Sequence, residues 1–164
     1  MRRVNTILPV QLGRIVSKFI ALAEDDCDDQ LLFAEALKQI CKQSTLHAVS
    51  TGMELIELLN TTRTSLPDVI VLDVNMPGMN GIECLKIIRK TDSLAQLPVV
   101  IMSTSGNAET IHDAFLHGAN SYAVKPGKFS ELKAVIEEIV ITDWSSAGVR
   151  NFDNFMIRPH LARH

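Results

Sequence analysis

The sequence predicts an α/β domain built on a parallel five-stranded sheet, doubly wound, with helices on both faces. Three observations carry that expectation. Val69-Ile70-Val71-Leu72 and Val99-Val100-Ile101-Met102 are unbroken apolar runs rich in β-branched residues, the pattern of strands covered on both sides. Apolar strands of this kind alternate five times with segments of helical periodicity, which selects a parallel sheet with right-handed crossovers. Turn-forming pairs, Pro77-Gly78 and Asn80-Gly81, stand just beyond one of the strand ends, where the chain must leave the sheet.

Phe19-Ile20-Ala21-Leu22-Ala23 is the first strand and runs straight into Glu24-Asp25-Asp26. The helix after it shows Phe33, Ala36, Leu37 and Ile40 on one face, at the i, i+3, i+4, i+7 spacing, with Asp26 or Asp28 available as its cap. Leu46 to Val49 is a short second strand, and Gly52 turns the chain into a helix from about Met53 to Asn60. Ser65-Leu66-Pro67-Asp68 leads into the Val69 strand, which ends at Asp73. Ile82, Leu85 and Ile88 mark a third helix ending near Lys90, and Pro98 introduces the Val99 strand, which ends at Ser103. After the loop Thr104-Ser105-Gly106-Asn107 comes a helix from Ala108 to His117, closed by Gly118. Ser121-Tyr122-Ala123-Val124 is the fifth strand and ends in Lys125-Pro126; Phe129, Leu132, Val135, Ile136, Ile139 and Val140 line the last helix.

At 164 residues the chain is long enough for one domain with a real core. A net charge of -3 with no basic stripe argues against nucleic-acid binding. No stretch reaches the ~20 apolar residues of a membrane span, and the N-terminal Arg2-Arg3 leads into no signal-peptide core. Cys27, Cys41 and Cys84 have no metal-type spacing and leave an odd thiol. They read as reduced thiols in a cytoplasmic protein, with Cys27 in a packing role. The five histidines, His47, His112, His117, His160 and His164, are scattered and receive no role.

In a parallel sheet the C-terminal strand ends converge on one edge, where open α/β folds hold their ligands. Here that edge collects Glu24, Asp25, Asp73, Ser103 and Lys125. Three adjacent carboxylates repel one another and lose hydration, a conflict that a hard divalent cation such as Mg²⁺ relieves. A carboxylate can also act as nucleophile and form an aspartyl-phosphate, whose formation depends on positioning and charge neutralisation. Asp26, Asp28 and Asp29 read instead as a solvated helix N-terminus favoured by the macrodipole.

Glu24-Asp25, Asp73 in Leu-Asp-Val-Asn-Met-Pro-Gly-Met-Asn-Gly, Ser103 and Lys125-Pro126, in this order, resemble the receiver domain of two-component response regulators. The resemblance spans about Ser17 to Trp144 and implies a flavodoxin-like sheet of order 2-1-3-4-5. It implies Asp73 as phosphoacceptor, with Glu24, Asp25, Asp73 and the backbone carbonyl of Asn75 holding Mg²⁺. Lys125 and Ser103 would pair with the phosphoryl oxygens, and Ser103 with Tyr122 would form the switch. In that family the positions of Asn75 and Ser105 tune phosphoryl lifetime and the Lys-Pro bond is usually cis, so the resemblance implies a tuning role for both residues and a cis Lys125-Pro126. The acidic pair departs from the commoner two aspartates, so Asp25-Asp26 stands as an alternative register. Ser103 replaces the commoner threonine.

The expected organisation is an N-terminal extension (1–16), a receiver (17–144) and a C-terminal tail (145–164). About 20 residues come after Trp144, too few for an output domain, so a stand-alone, chemotaxis-regulator-like receiver is expected. Its partners would be a sensor histidine kinase or phosphotransfer protein and a downstream protein whose identity the sequence does not give; a homodimer is compatible with the reading. The stretch Ile139 to Trp144 resembles the ends of single-domain receivers linked to phytochrome-type kinases. Three other readings compete: a phosphatase using Asp73, which would usually carry an acid at the position of Asn75; a degenerate receiver that only binds; and a flavin or nucleotide binder, which lacks its Gly-rich loop here. The tail residues Asn151 to Ile157 carry apolar side chains that could pack on the domain, meet a partner or stay disordered.

Overall fold

The computed structural model describes residues 16–61, 65–145 and 150–158. The expectations for Arg2-Arg3, for the rest of the N-terminal extension up to residue 15, and for His160 and His164 lie outside the described residues. The elements come in the expected alternation: β1 (Phe19–Ala23), α1 (Cys27–Ile40), β2 (Thr45–Val49), α2 (Gly52–Thr61), β3 (Val69–Leu72), α3 (Gly81–Lys90), β4 (Val99–Ser103), α4 (Ala108–Leu116), β5 (Ser121–Val124) and α5 (Phe129–Ile141). A 3₁₀ turn, Phe152–Asn154, comes last. All sheet pairings between these strands are parallel, and the order is β2-β1-β3-β4-β5.

The two-residue period of the strands splits the interior into two layers. Ala21, Ala23, Ile70, Leu72, Ile101 and Tyr122 face α2, α3 and α4, where Leu55, Leu85 and Ile88 pack. Ile20, Leu22, Val71, Val100, Met102 and Ala123 face α1 and α5, against Phe33, Leu37, Ile136 and Ile139. Every residue of β3 and β4 is buried, which explains their lack of polar alternation. At roughly 1.5–3 kcal/mol for each large side chain removed from water, these two layers hold the sheet in register. Among the described residues no helix is long and apolar enough to cross a membrane.

Local signals fix where the helices start and stop. Asp26 is the α1 cap and accepts from the amides of Asp28 and Asp29. Asn80 and Glu83 form a reciprocal capping box on α3. Gly118 takes a left-handed φ of 98° just after α4, a conformation open to glycine at little cost. The half-buried Arg89 guanidinium then ties the loops together, donating to the carbonyls of Ala95, Leu97 and Gly118 and to Asn120 Oδ1.

The two sheet edges differ. β2 exposes Thr45 and His47, polar residues that discourage strand addition. β5 is covered by the chain itself, because Met156 forms a parallel bridge with Tyr122. The tail segment 150–158 therefore packs on the domain rather than standing free, and Phe155 is only 1% exposed. Cys41 and Cys84 are buried, whereas Cys27 is exposed and does not pack; it sits at the first turn of α1, which points to solvent. All three thiols are free.

Gly81 links the fold to the end of β3. A Cβ there would lie 2.1 Å from the Asp73 carbonyl oxygen and 2.9 Å from Val74 Cα, closer than nonbonded atoms can approach. Only a residue without a side chain lets α3 start beneath the end of β3. Gly81→Ala should therefore cost about 3 kcal/mol in urea unfolding through overpacking against backbone. It should also displace the Asp73 main chain; an unaltered urea midpoint would show that α3 can move aside freely.

Candidate functional site

The strand ends meet as expected. Asp73 comes directly after β3 and is 4% exposed, Glu24 comes directly after β1 and is 3% exposed, and Ser103 closes β4 fully buried. Backbone hydrogen bonds continue the sheet one step past the strands and fix these positions. The Asp73 amide donates to Ala23 O (3.0 Å), the Glu24 amide to Val49 O (3.0 Å) and the Lys125 amide to Ser103 O (2.8 Å).

Lys125 is the centre of charge. Its Nζ donates to Glu24 Oε2, to Asp29 Oδ2 at 3.0 Å and to Asp73 Oδ2 at 3.4 Å. Burial alone would lower the lysine pKa, but the Glu24, Asp29 and Asp73 carboxylates outweigh it and raise the value. On the acidic side, burial pushes both Glu24 and Asp73 above the ordinary carboxylate range. Repulsion from neighbouring carboxylates adds to this, and Lys125 only partly offsets it.

Asp25 completes a second grouping. One carboxylate oxygen from each of Glu24, Asp25 and Asp73 lies within 4.8 Å of the others, with Asp25 exposed. Such a donor set, all hard oxygens and partly dehydrated, is able to chelate a divalent cation. Asp26 belongs to the helix instead, since its carboxylate Oδ1 takes the amides of Asp28 and Asp29. The structure thus groups Glu24-Asp25 with Asp73, not Asp25-Asp26.

The neighbouring polar groups form a relay away from Asp73. The Asn75 amide donates to Asp73 Oδ1 (3.3 Å), and Asn75 Nδ2 reaches Ser103 Oγ at 3.5 Å. Ser103 Oγ also accepts the Ser105 amide (3.2 Å), and the Tyr122 hydroxyl donates to Ser105 O (2.7 Å). Tyr122 is fully buried, with burial raising its phenol pKa. Asn75 itself is exposed at the mouth of the site.

Two features depart from the sequence reading. The Lys125–Pro126 peptide is trans, since the described residues contain no cis bond. Trans is intrinsically favoured by roughly 0.5–1 kcal/mol at X-Pro bonds, and in this form Lys125 already reaches three carboxylates. Asp29, expected in a solvated helix start, is instead a direct partner of Lys125. It stands three residues after the Asp26 cap, in the first turn of α1, a position that the helix alone would account for.

A cavity of about 240 Å³ opens beside this cluster. Glu24, Asp29, Asp73 and Lys125 form its polar rim, with Phe33, Val71 and Leu132 among its apolar walls. Access to Asp73 is therefore from the α1 and β5–α5 side.

Comparison with known proteins agrees with this geometry. Residues 27–137 match the family model of the response regulator receiver domain. The chain is 29% identical over 123 residues to a probable methanogenesis regulatory protein, FilR2, of Methanothrix harundinacea, covering 73% of this chain and 79% of that protein. Other relatives are longer, and the chain spans only 18% of the two-component response regulator ORR22 of Oryza sativa. Among solved structures, the phosphorylated cyanobacterial phytochrome response regulator RcpA is 33% identical with a TM-score of 0.70, over 76% of this chain and 91% of that one. The Mn²⁺-bound form of response regulator Rcp1 is 28% identical with a TM-score of 0.66, over 74% and 91%. The match at residues 27–137 takes in well over half of the sequence, and the chain belongs to the response regulator receiver domain family.

Proposed function

We propose that Asp73 is the residue phosphorylated in this receiver. The single observation that carries this is its placement: a carboxylate 4% exposed at the end of β3, with Lys125 Nζ 3.4 Å away and a cation-competent carboxylate group alongside. As a receiver, the chain accepts and loses a phosphoryl group at an aspartate in two-component signalling and is not a multiple-turnover catalyst.

In the proposed transfer an Asp73 carboxylate oxygen attacks the phosphorus of a phosphohistidine. The P–O bond forms as the P–N bond breaks, and the departing imidazole nitrogen keeps the electron pair and takes a proton. Lys125 exchanges carboxylate for phosphoryl oxygen, and the Ser103 hydroxyl binds another. Glu24, Asp25, Asp73 and the Asn75 carbonyl would hold Mg²⁺, which supplies charge neutralisation at the phosphoryl oxygens. That response regulator Rcp1, 28% identical, has an Mn²⁺-bound form supports a divalent ion in this chain too. Asn75 and Ser105, bonded to or next to Ser103, are placed to tune access of water.

The donor would be a sensor histidine kinase or phosphotransfer protein in the cytoplasm. The likeness to RcpA, a phytochrome response regulator, and to the bacteriophytochrome response regulator RtBRR at 31% identity puts a phytochrome-type kinase first. The signal would leave residues 17–144 through contacts with a downstream protein, as Ser103 and Tyr122 shift a two-state equilibrium.

The test is adduct formation with Mg²⁺ and acetyl phosphate, read by intact-protein mass. One phosphoryl group per chain is expected on the wild type and none on Asp73→Asn; an equal adduct on the variant would move the acceptor elsewhere. Rapid multiple turnover would instead make the protein a phosphatase.

Stability offers a second test. Because the Asp73 and Glu24 pKa values are raised in the fold, the folded state binds protons more tightly than the unfolded one. Stability of the metal-free protein therefore falls as pH rises above the ordinary values of 3.8 and 4.5 towards the raised ones. Asp73→Asn should raise the metal-free Tm at pH 7 by about 2–4 °C, the equivalent of roughly 1 kcal/mol. The gain should shrink below pH 4 and when Mg²⁺ is added. A variant less stable than wild type at pH 7 would mean that Lys125 over-compensates the buried carboxylate.

A further inference from the structure

We propose that residues 150–158 form a strap that holds Tyr122 inward, so that docking of this arm and phosphorylation of Asp73 are coupled equilibria. The proposal rests on the receiver reading of Asp73 and adds a regulatory element to it.

The arm grips one residue of β5 from three directions. The Tyr122 amide donates to Phe155 O (2.9 Å), and the Ile157 amide donates to Tyr122 O (2.8 Å). Both backbone groups of Tyr122 thus belong to the arm, as in strand addition to a sheet edge. The Phe155 ring packs edge-on to Phe115 of α4 at 5.2 Å and lies 6.3 Å from the Tyr122 ring. Phe152 covers the same place from outside, 5.2 Å from Phe115 and 6.1 Å from Phe155. Arg150 anchors the start of the arm: its guanidinium donates to Ala119 O and Phe115 O, at the end of α4, and sits 4.5 Å over the Phe115 ring.

From the other side Tyr122 is tied to the site. Its hydroxyl holds Ser105 O, Ser105 N–H holds Ser103 Oγ, and Asn75 links Ser103 to Asp73. Tyr122 is therefore bonded both to the arm and to the loop that carries Ser105. Its ring lies in the α4-side layer with Ala114, Ala119 and Phe155. Phe155, 1% exposed, stands 6.3 Å from that ring, centroid to centroid. In the proposed coupling the docked arm disfavours an outward Tyr122, whereas with the arm released the ring loses its Phe155 neighbour and β5 becomes an open edge.

These contacts set the direction of coupling. Under the receiver reading, the phosphoryl group draws Ser103 towards Asp73 and favours the inward Tyr122. The docked arm favours the same ring position. Two events that select one state strengthen each other by the same factor, whichever comes first. The arm holds on by one buried phenylalanine, two edge hydrogen bonds and the Arg150 and Phe152 contacts at the end of α4, a grip confined to one short segment and open to being shifted by such a factor.

The experiment compares the full chain with Phe155→Ala, Arg150→Ala and a chain ending at Val149. Beryllofluoride with Mg²⁺ serves as the phosphoryl mimic, its dissociation constant is read by titration, and exchange of the Tyr122 and Ile157 amides is followed in deuterium. Each variant should still form one adduct per chain, with affinity weakened by about five-fold or more, within the usual range of such couplings. In the wild type the mimic should slow exchange at both amides. Equal or tighter binding without the arm, together with exchange that the mimic leaves unchanged, would overturn the strap while leaving Asp73 as acceptor. Absence of any Asp73-dependent adduct on the wild type would instead remove the receiver reading on which the strap rests. Should Phe155→Ala unfold, the Arg150→Ala titration and the wild-type exchange data decide alone.

Discussion

The structure turns on a crowd of carboxylates held together by one ammonium group. Glu24, Asp29 and Asp73 all contact Lys125 Nζ, and two of the three anions are almost wholly dehydrated. A fold gains little stability from such an arrangement, because dehydrating several anions costs more than one cation returns. That imbalance is what gives the site its chemistry. Under the proposed function, a buried carboxylate with a raised proton affinity trades its lysine contact and its excess charge for a cation and a phosphoryl group. The rest of the molecule acts as the apparatus that keeps these charges adjacent.

That apparatus is the parallel sheet. Parallel strands deliver all their C-terminal ends to one edge, so residues far apart in sequence meet without long loops. Lys125 and Glu24 are separated by 101 positions and still touch. The central strands are buried along their whole length and cannot slip by one residue without turning every side chain to the wrong layer. Gly81 then lets α3 begin directly under Asp73, which leaves that carboxylate little freedom to retreat. Precision at the site comes from burial in the sheet, not from the strength of the contacts at the site.

The same division governs how much of the molecule is legible in the sequence. Strand ends at Ala23, Leu72, Ser103 and Val124 can be read directly, because continuous apolar runs stop where polar residues begin. Asp73, Lys125 and Ser103 are placed by those ends through topology alone. Asp29 is not legible, since an aspartate in the first turn of a helix is accounted for by the helix itself. Only the packing of α1 beside the β5–α5 loop shows that it reaches Lys125. Family resemblance points to a cis Lys125–Pro126 peptide, yet it stands trans, a choice that no local pattern encodes. Cysteine is usually buried, which suggests packing for Cys27, yet the first turn of α1 leaves it in water.

The tail shows the same limit from the other direction. Phe152 and Phe155 are three residues apart with Asp153 and Asn154 between them, too short and too polar a run to read as strand or helix. Their partners, Phe115 and Tyr122, lie more than thirty residues earlier in the sequence. No periodicity links such distant segments, so the sequence shows only that apolar side chains are present. What turns them into structure is an unfilled need of the sheet: β5 has a free side, and a bare edge offers unpaired amides to any passing strand. β2 meets that hazard with polar side chains, whereas β5 carries the fully buried Tyr122 and meets it with the chain's own arm. That cover bonds to the backbone of the very residue whose hydroxyl holds Ser105 O, so Tyr122 is the point where the arm and the Asp73 cluster meet.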